Sequence, residues 1–312
     1  MAPPVPIPAD VRSWLLDVFG TCNERVSKLI TDVPTTHETP LDMTFIQHFL
    51  GVSAPRRFPS GWTVDLSTHY LGGGRHWGDW PDWPRRWEIA DIGLLILFRQ
   101  GGKLLRSKVA LLQSKRLYPD ELDWDEDSPL DYKIGFRRLF RDDDEWSAVM
   151  APRQFGFTDQ SRYKALVTGH VQYKAITDYE NHRKIPVYYL LYNPVQIPSA
   201  SVLPISPEQP QTTASCDVGC RVVPVAQLRT VLDGEPAGSS PAYGELRSSL
   251  PTPFDDPQHH AGWRLEHYVV NLLLECETGY IANSPNDSGL NYVFNRRSGP
   301  ISAALSLTLD AP

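Results

Sequence analysis

Cysteine is scarce in this chain. There are four in 312 residues, Cys22, Cys216, Cys220 and Cys276, and only Cys216 and Cys220 stand close, as a C-x3-C pair. A zinc site there would need two more ligands, with His259 and His260 the only obvious donors, so neither a zinc module nor a disulfide framework is expected. A reducing cytoplasm is the expected compartment. No apolar run approaches the roughly 18 residues of a membrane helix. The opening MAPPVPIPADVR lacks the basic stretch and apolar core of a secretory signal. There is no internal repeat, no P-loop and no G-x-G-x-x-G, so neither ATP nor a dinucleotide is an expected cofactor. Positive charge is not in excess either: the net charge is −7 and the pI about 5.7. Phosphate neutralisation supplies most of the affinity of a constitutive, non-specific DNA binder, and this composition excludes that over the whole surface.

What is present is enough apolar material, 41% of residues, for one large or two modest domains. The richest stretch is 88–118. EIADIGLLILF and SKVALLQSKRLYP are two apolar runs flanking Gln100-Gly101-Gly102, the pattern of a β-hairpin turning near Gly102. Such a turn pairs residues whose numbers sum to about 204, which sets Asp91 opposite Gln113 to within about one residue. Gln113 and Lys115 project from one face, because side chains alternate along a strand. An ordinary alternative is a cross-strand Asp91–Lys115 ion pair with Gln113 in water. The nearly continuous runs Leu94–Phe98 and Val109–Leu112 argue against it, since they belong to strands buried on both faces. Polar groups in such strands are costly unless paired or functional.

An Asp on one strand followed by Q-x-K on the next resembles the PD-(D/E)xK nuclease superfamily. The Gln variant looks like the Mrr-like restriction endonucleases and related nuclease effectors of bacterial antiphage defence. The resemblance covers about residues 35–195. It implies that Asp91 binds metal, Gln113 stands in for the variable acid, and Lys115 orients water and steadies the phosphate. Ala90 replaces the Pro of the family's Pro-Asp pair. The family pattern also has an acid on a helix before the first strand. Residues 34–50 read as that helix, started by Pro34 or Pro40, with a stripe of Leu41, Phe45, Ile46 and Phe49. Glu38 is the first choice for the helix acid and Asp42 the second. Glu88, three residues before Asp91, points to the opposite strand face and ranks below them.

The resemblance implies an α/β fold with an αβββαβ core, a mixed sheet flanked by helices. Residues 1–197 form this core and 198–312 a loop-rich extension. A helix is expected over 9–33, with Trp14, Leu15, Val18 and Phe19 on one face. A strand alternates over 62–71, a helix is expected over 159–182, and 185–192 reads as a buried strand. In the extension, 203–215 and 233–258 read as loops around a strand and helix at 220–232. Residues 262–278 read as an amphipathic helix, and the tail as irregular with a weak strand at 301–309. The loop RHWGDWPDWPRRW at 75–87 suits an aromatic flap packed on the core, or a platform stacking unpaired bases on Trp77, Trp80 or Trp83. Residues 119–145 are acidic around an FRRLF interruption and read as an exposed lid. Basic clusters occur at Arg56-Arg57, Arg85-Arg86, Lys115-Arg116, Arg137-Arg138 with Arg141, and Arg296-Arg297.

The expected activity is a metal-dependent endonuclease cutting DNA phosphodiesters. The resemblance implies Mg²⁺, with Mn²⁺ as substitute, held by Asp91, Glu38, the Gln113 side-chain oxygen and the Ser114 carbonyl. It places the chain in phage defence, with a sensor or activator protein or self-assembly as possible control. The alternatives are a catalytically silent nucleic-acid-binding or assembly module, and a nuclease of RNA or single strands.

Overall fold

A computed structural model describes residues 3–70, 89–121, 153–203, 215–251, 260–282, 284, 286–294 and 300–312. Glu88, the tryptophan-rich loop, most of the acidic segment and His259 lie outside them, as do Arg85-Arg86, Arg137-Arg138, Arg141 and Arg296-Arg297.

Two helices open the chain. Helix α1 (Ala9–Asp32) buries Val11, Leu15, Val18, Cys22 and Val26, residues spaced three or four apart along one stripe. Helix α2 (Glu38–Leu50) buries the expected Leu41, Phe45, Ile46 and Phe49. Phe49 meets Phe19 of α1 with ring centroids 5.0 Å apart. The helix starts at Glu38 rather than Pro34, because the carbonyls of Pro34 and Thr36 are taken by the Arg116 guanidinium. Pro40 then falls in the first turn, where its missing N–H costs nothing.

Strands β1 (Arg56–Arg57), β2 (Thr63–Tyr70), β3 (Ala90–Gln100) and β4 (Lys103–Arg116) follow. The β3–β4 hairpin turns through Gly101 and Gly102, at φ 55° and 78°. Two successive positive φ angles make the tight turn whose twist suits a two-residue hairpin, and glycine adopts them at little cost. Strands β5 (Asp120–Glu121), β6 (Arg153–Phe157) and β8 (Ser199–Leu203) form a small separate sheet. Helix α3 (Val171–Arg183) leads to β7 (Val187–Tyr192). Next come β9 (Arg221–Pro224), α4 (Val225–Leu232), α5 (Tyr243–Ser249), β10 (Trp263–Arg264), α6 (Leu265–His267) with a π-helical continuation Tyr268–Leu273, β11 (Tyr280–Ala282), α7 (Ser288–Val293) and β12 (Ile301–Ala311). The result is α/β: a mixed sheet in the order β1-β2-β12-β3-β4-β7-β9-β10, flanked by helices, with β11 also paired to β4. No helix among the described residues is long and apolar enough to cross a membrane.

Several elements differ from the sequence expectation, among them helix α5, which lies inside the 233–258 stretch read as loop. Residues 301–309, read as a weak strand in an irregular tail, are part of an eleven-residue strand inside the main sheet. β12 runs antiparallel to β2 and parallel to β3, and its Ala- and Ser-rich sequence still buries Leu305, Leu307 and Leu309. Four strands of the main sheet come from beyond residue 198, so the boundary expected there runs through the sheet. The helix expected over 159–182 is confined to Val171–Arg183. Tyr163 and Leu166 are buried as their spacing suggested. They lie in turns that end at Gly169, with φ 75°, and His170 then caps the helix by accepting from the Gln172 N–H. The helix expected over 262–278 begins later and loosens to π geometry, because Trp263 and Arg264 pair with β9.

Candidate active site at the edge of strand β4

The Gly101-Gly102 turn pairs Gln100 with Lys103, and an irregularity between Phe98 and Arg99 then shifts the register by one, so that it runs Leu94↔Ala110, Gly93↔Leu111 and Ile92↔Leu112, with residue numbers summing to 204. The next pair outward is Asp91 and Gln113, where the backbone pairing of the two strands ends. β4 continues to Arg116, with β7 running parallel on its other side. Beyond Leu112 the edge of β4 that faced β3 is therefore open. Alternate N–H groups of a strand point to the same edge. Here those of Ser114 and Arg116 do so, and carboxylates take both. The Ser114 N–H donates to Asp91 Oδ2 at 2.7 Å, and the Arg116 N–H donates to Glu38 Oε1 at 3.1 Å. The C=O of a strand residue points the same way as its N–H. The Ser114 carbonyl therefore faces this open edge too.

Side chains complete the constellation. Asp91 Oδ2 also accepts from Ser114 Oγ at 2.8 Å and from the Gln113 side-chain amide. Gln113 is buried, and its Oε1 has no hydrogen-bond partner among the described residues. Lys115 is 4% exposed, with its Nζ 3.7 Å from Glu38 Oε2. Asp42 lies one helical turn beyond Glu38, so both acids share a face of α2. Its Oδ2 accepts from Ser114 Oγ at 3.1 Å and its Oδ1 from Tyr192 Oη at 2.7 Å. Arg116 ties the assembly to the α1–α2 link: its guanidinium binds the Pro34 and Thr36 carbonyls and stacks 4.3 Å from the Tyr118 ring centroid.

The electrostatics follow from burial. Loss of water pushes the Asp42 carboxyl well above the usual range, and the Asp91 charge pushes it further, against hydrogen bonds from Tyr192 and Ser114. Asp91 is also raised by burial, while Lys115 and the Ser114 donors pull it back. The buried Tyr192 hydroxyl is pushed up by the same loss of water and by Asp42.

The structure thus brings Asp91, Gln113, Ser114, Lys115, Glu38 and Asp42 together. The cross-strand Asp91–Lys115 ion pair does not form, because the carboxylate nearest Lys115 belongs to Glu38. Two participants were not legible in the sequence: Tyr192, hidden in the apolar run of β7, and the Ser114 hydroxyl. Among the described residues no three His, Cys, Asp or Glu side chains form a metal cage by themselves. The oxygens here are mixed: two or three carboxylates, one amide oxygen without a partner and one strand carbonyl. Hard divalent cations such as Mg²⁺ favour such all-oxygen sets. The two members of the C-x3-C pair pack instead against Asn23 and Ser27 of α1. Comparisons with family models, with curated proteins and with solved structures return no match for this chain.

Proposed function

We propose that this chain is a metal-dependent nuclease of the PD-(D/E)xK type with a Gln-x-Lys site, hydrolysing phosphodiester bonds of DNA. One observation carries the reading. Asp91, the unpartnered amide oxygen of Gln113 and the Lys115 ammonium converge where β3 and β4 part, with an acid of α2 against them. The element order α2-β2-β3-β4-α3-β7 supports the αβββαβ core that such enzymes share, with β12 as an additional strand between β2 and β3.

Asp91, Gln113 Oε1, the Ser114 carbonyl and an acid of α2 would hold Mg²⁺, or Mn²⁺ in its place. A bound divalent cation lowers the pKa of water and stabilises the charge that builds on a phosphate. The protein's own groups do the rest. Lys115, buried and held from behind by Glu38, presents its ammonium to the attacking water and the non-bridging phosphate oxygens. The backbone amides of Ser114 and Arg116 fix the carboxylates, so little reorganisation is needed as charge develops. The setting of phage defence, a cytoplasmic location and control by a sensor protein or self-assembly belong to the same proposal.

The test is direct. Purified protein is incubated with supercoiled plasmid, linear duplex, single-stranded DNA and RNA, at low salt, with Mg²⁺, Mn²⁺ or EDTA. Cleavage that needs the cation and vanishes in Lys115→Ala is the expected result. The reading fails if none of the four substrates is cut, and a preference for RNA or single strands would change the substrate.

A further inference from the structure

Two acids of α2 reach the open edge of β4, and their surroundings differ. Glu38 is already compensated: one oxygen accepts the Arg116 N–H at 3.1 Å and the other lies 3.7 Å from Lys115 Nζ. Asp42 has no ion-pair partner within 4 Å among the described residues. Its hydrogen-bond donors are two neutral hydroxyls, Tyr192 Oη on Oδ1 at 2.7 Å and Ser114 Oγ on Oδ2 at 3.1 Å. That same Ser114 Oγ lies 2.8 Å from Asp91 Oδ2.

A hydroxyl carries one hydrogen, so it donates to one acceptor at a time. With both carboxylates ionised, one of these oxygen–oxygen contacts holds no hydrogen. Two like charges then face each other across a single hydroxyl. No cation among the described residues lies within 4 Å of Asp42, so the shortfall of positive charge falls on Asp42. Gln113 points independently to the same missing group. It is 2% exposed, its amide nitrogen is spent on Asp91, and its Oε1 has no partner among the described residues. A buried amide oxygen left bare is costly unless a ligand takes its lone pair.

The geometry points to a division of labour between the two acids: Asp42, held by Tyr192, faces the cation with Asp91, while Glu38 serves Lys115. This rests on the nuclease reading above. Tyr192 is a positioning residue. It lies at the end of β7, in register with Arg116, and is fully buried. Its hydroxyl therefore has a fixed position and pins one oxygen of Asp42. Partners that orient a ligating carboxylate from behind are worth about 10–100-fold in metal affinity.

The test separates the two acids by a readout other than turnover. Mn²⁺ binding to the full chain is titrated by electron paramagnetic resonance, alongside plasmid cleavage, for the wild type, Asp42→Asn, Glu38→Gln and Tyr192→Phe. Asp42→Asn and Tyr192→Phe are expected to weaken Mn²⁺ binding at least about 10-fold. Glu38→Gln is expected to bind Mn²⁺ within about threefold of the wild type while cutting slowly, since the direct contacts it changes are those to Lys115 and the Arg116 N–H. Melting without metal checks that each variant folds. Should Tyr192→Phe not fold, the comparison of Asp42→Asn with Glu38→Gln still decides. The inference is overturned if Asp42→Asn and Tyr192→Phe bind Mn²⁺ like the wild type, or if Glu38→Gln is the variant that loses binding. Mn²⁺ binding without cleavage of any substrate would remove the nuclease reading, and the binding arm would still judge the cation site. Neither binding nor cleavage would remove both.

Discussion

Neutralising Asp42 should stabilise the metal-free protein, which is unusual for a half-buried residue with two hydrogen-bond donors. Asp42 Oδ2 and Asp91 Oδ2 lie 3.1 and 2.8 Å from the same Ser114 Oγ, so they are at most about 6 Å apart. At an effective dielectric of about 20, two unit charges at that distance repel by about 3 kcal/mol. Both side chains are half-buried, so water screens part of this, leaving about 1–2 kcal/mol. For a chain of this size that is a rise of about 1.5–3 °C in Tm for Asp42→Asn. The sign depends on pH. Burial first, and then the Asp91 charge, raise the folded carboxyl of Asp42. A raised acid contributes stability that is fully present below its ordinary value near 3.8 and is lost as pH rises through its folded value. The variant and the wild type should therefore melt together near pH 3.5, and the variant should gain an advantage as pH rises to 8. Adding Mg²⁺ should reverse the order, because a ligand at 100 times its Kd adds about 2.7 kcal/mol to the form that binds it. The assay is differential scanning fluorimetry across pH, with EDTA or Mg²⁺. If Asp42→Asn melts at or below the wild type at pH 8 in EDTA, the hydrogen bonds outweigh the repulsion and the site carries no charge deficit.

Other expectations follow from the same structure. Lys115→Ala should abolish cleavage at a stability cost of about 1–3 kcal/mol, because the side chain is buried although its ion pair is long and Glu38 keeps the Arg116 N–H; an activity assay and a urea titration check both. Lys108 is buried, donates to the Leu273 and Thr278 carbonyls, and is pulled down by burial to about 8. A depressed base is protonated more in the unfolded chain between its two values, so Lys108 adds stability as pH rises from about 8 towards 10. Lys108→Met should remove that rise relative to the wild type, measured by chemical denaturation at pH 7.5 and 9.5. With a net charge of −7, the isolated protein should cut duplex DNA poorly at physiological salt and better as salt falls. Neutralising Asp123, Asp125, Glu126 and Asp127 to Asn or Gln should raise basal cleavage. Equal rates at every salt concentration would show that this segment is no electrostatic gate.

The hairpin was legible because its determinants are local. Gly101 and Gly102 set the turn and so place Asp91 opposite Gln113 to within one residue, but the last step of register comes from an irregularity between Phe98 and Arg99 that no local signal announced. The apolar stripe of α2 was legible for the same reason, since Leu41, Phe45 and Phe49 recur at helical spacing within one element. Tyr163 and Leu166 show the limit: their spacing reported burial correctly, but burial is shared by helices and by turns packed under a sheet. Tyr163 uses its hydroxyl on Asn193, thirty residues away, and no periodicity encodes that. β12 was underestimated because small residues such as Ala303, Ala304 and Ser306 carry little β signal. Its place is set by partners more than 200 residues distant. Asp42 and Tyr192 are 150 residues apart, so their contact was invisible from spacing, and with it the reason to separate Asp42 from Glu38.

The site and the fold meet at one structural event, the parting of β3 from β4 after Leu112. Parting exposes the Ser114 and Arg116 amides on an edge that is otherwise buried, and a buried N–H without a partner costs about 1–3 kcal/mol. Water could satisfy such groups only at an open surface. Here carboxylates do so, one from each flanking element, Asp91 from β3 and Glu38 from α2. The negative charge gathered at this edge is therefore partly a consequence of backbone satisfaction. Lys115 offsets one carboxylate through Glu38. Lys115 also draws Asp91 down, so among the described side chains the acid left without a cation within 4 Å and without that pull is Asp42. A sheet that splits at this point draws acids to the split to satisfy its own backbone, so the charge on which the proposed cation site rests is built by the fold itself.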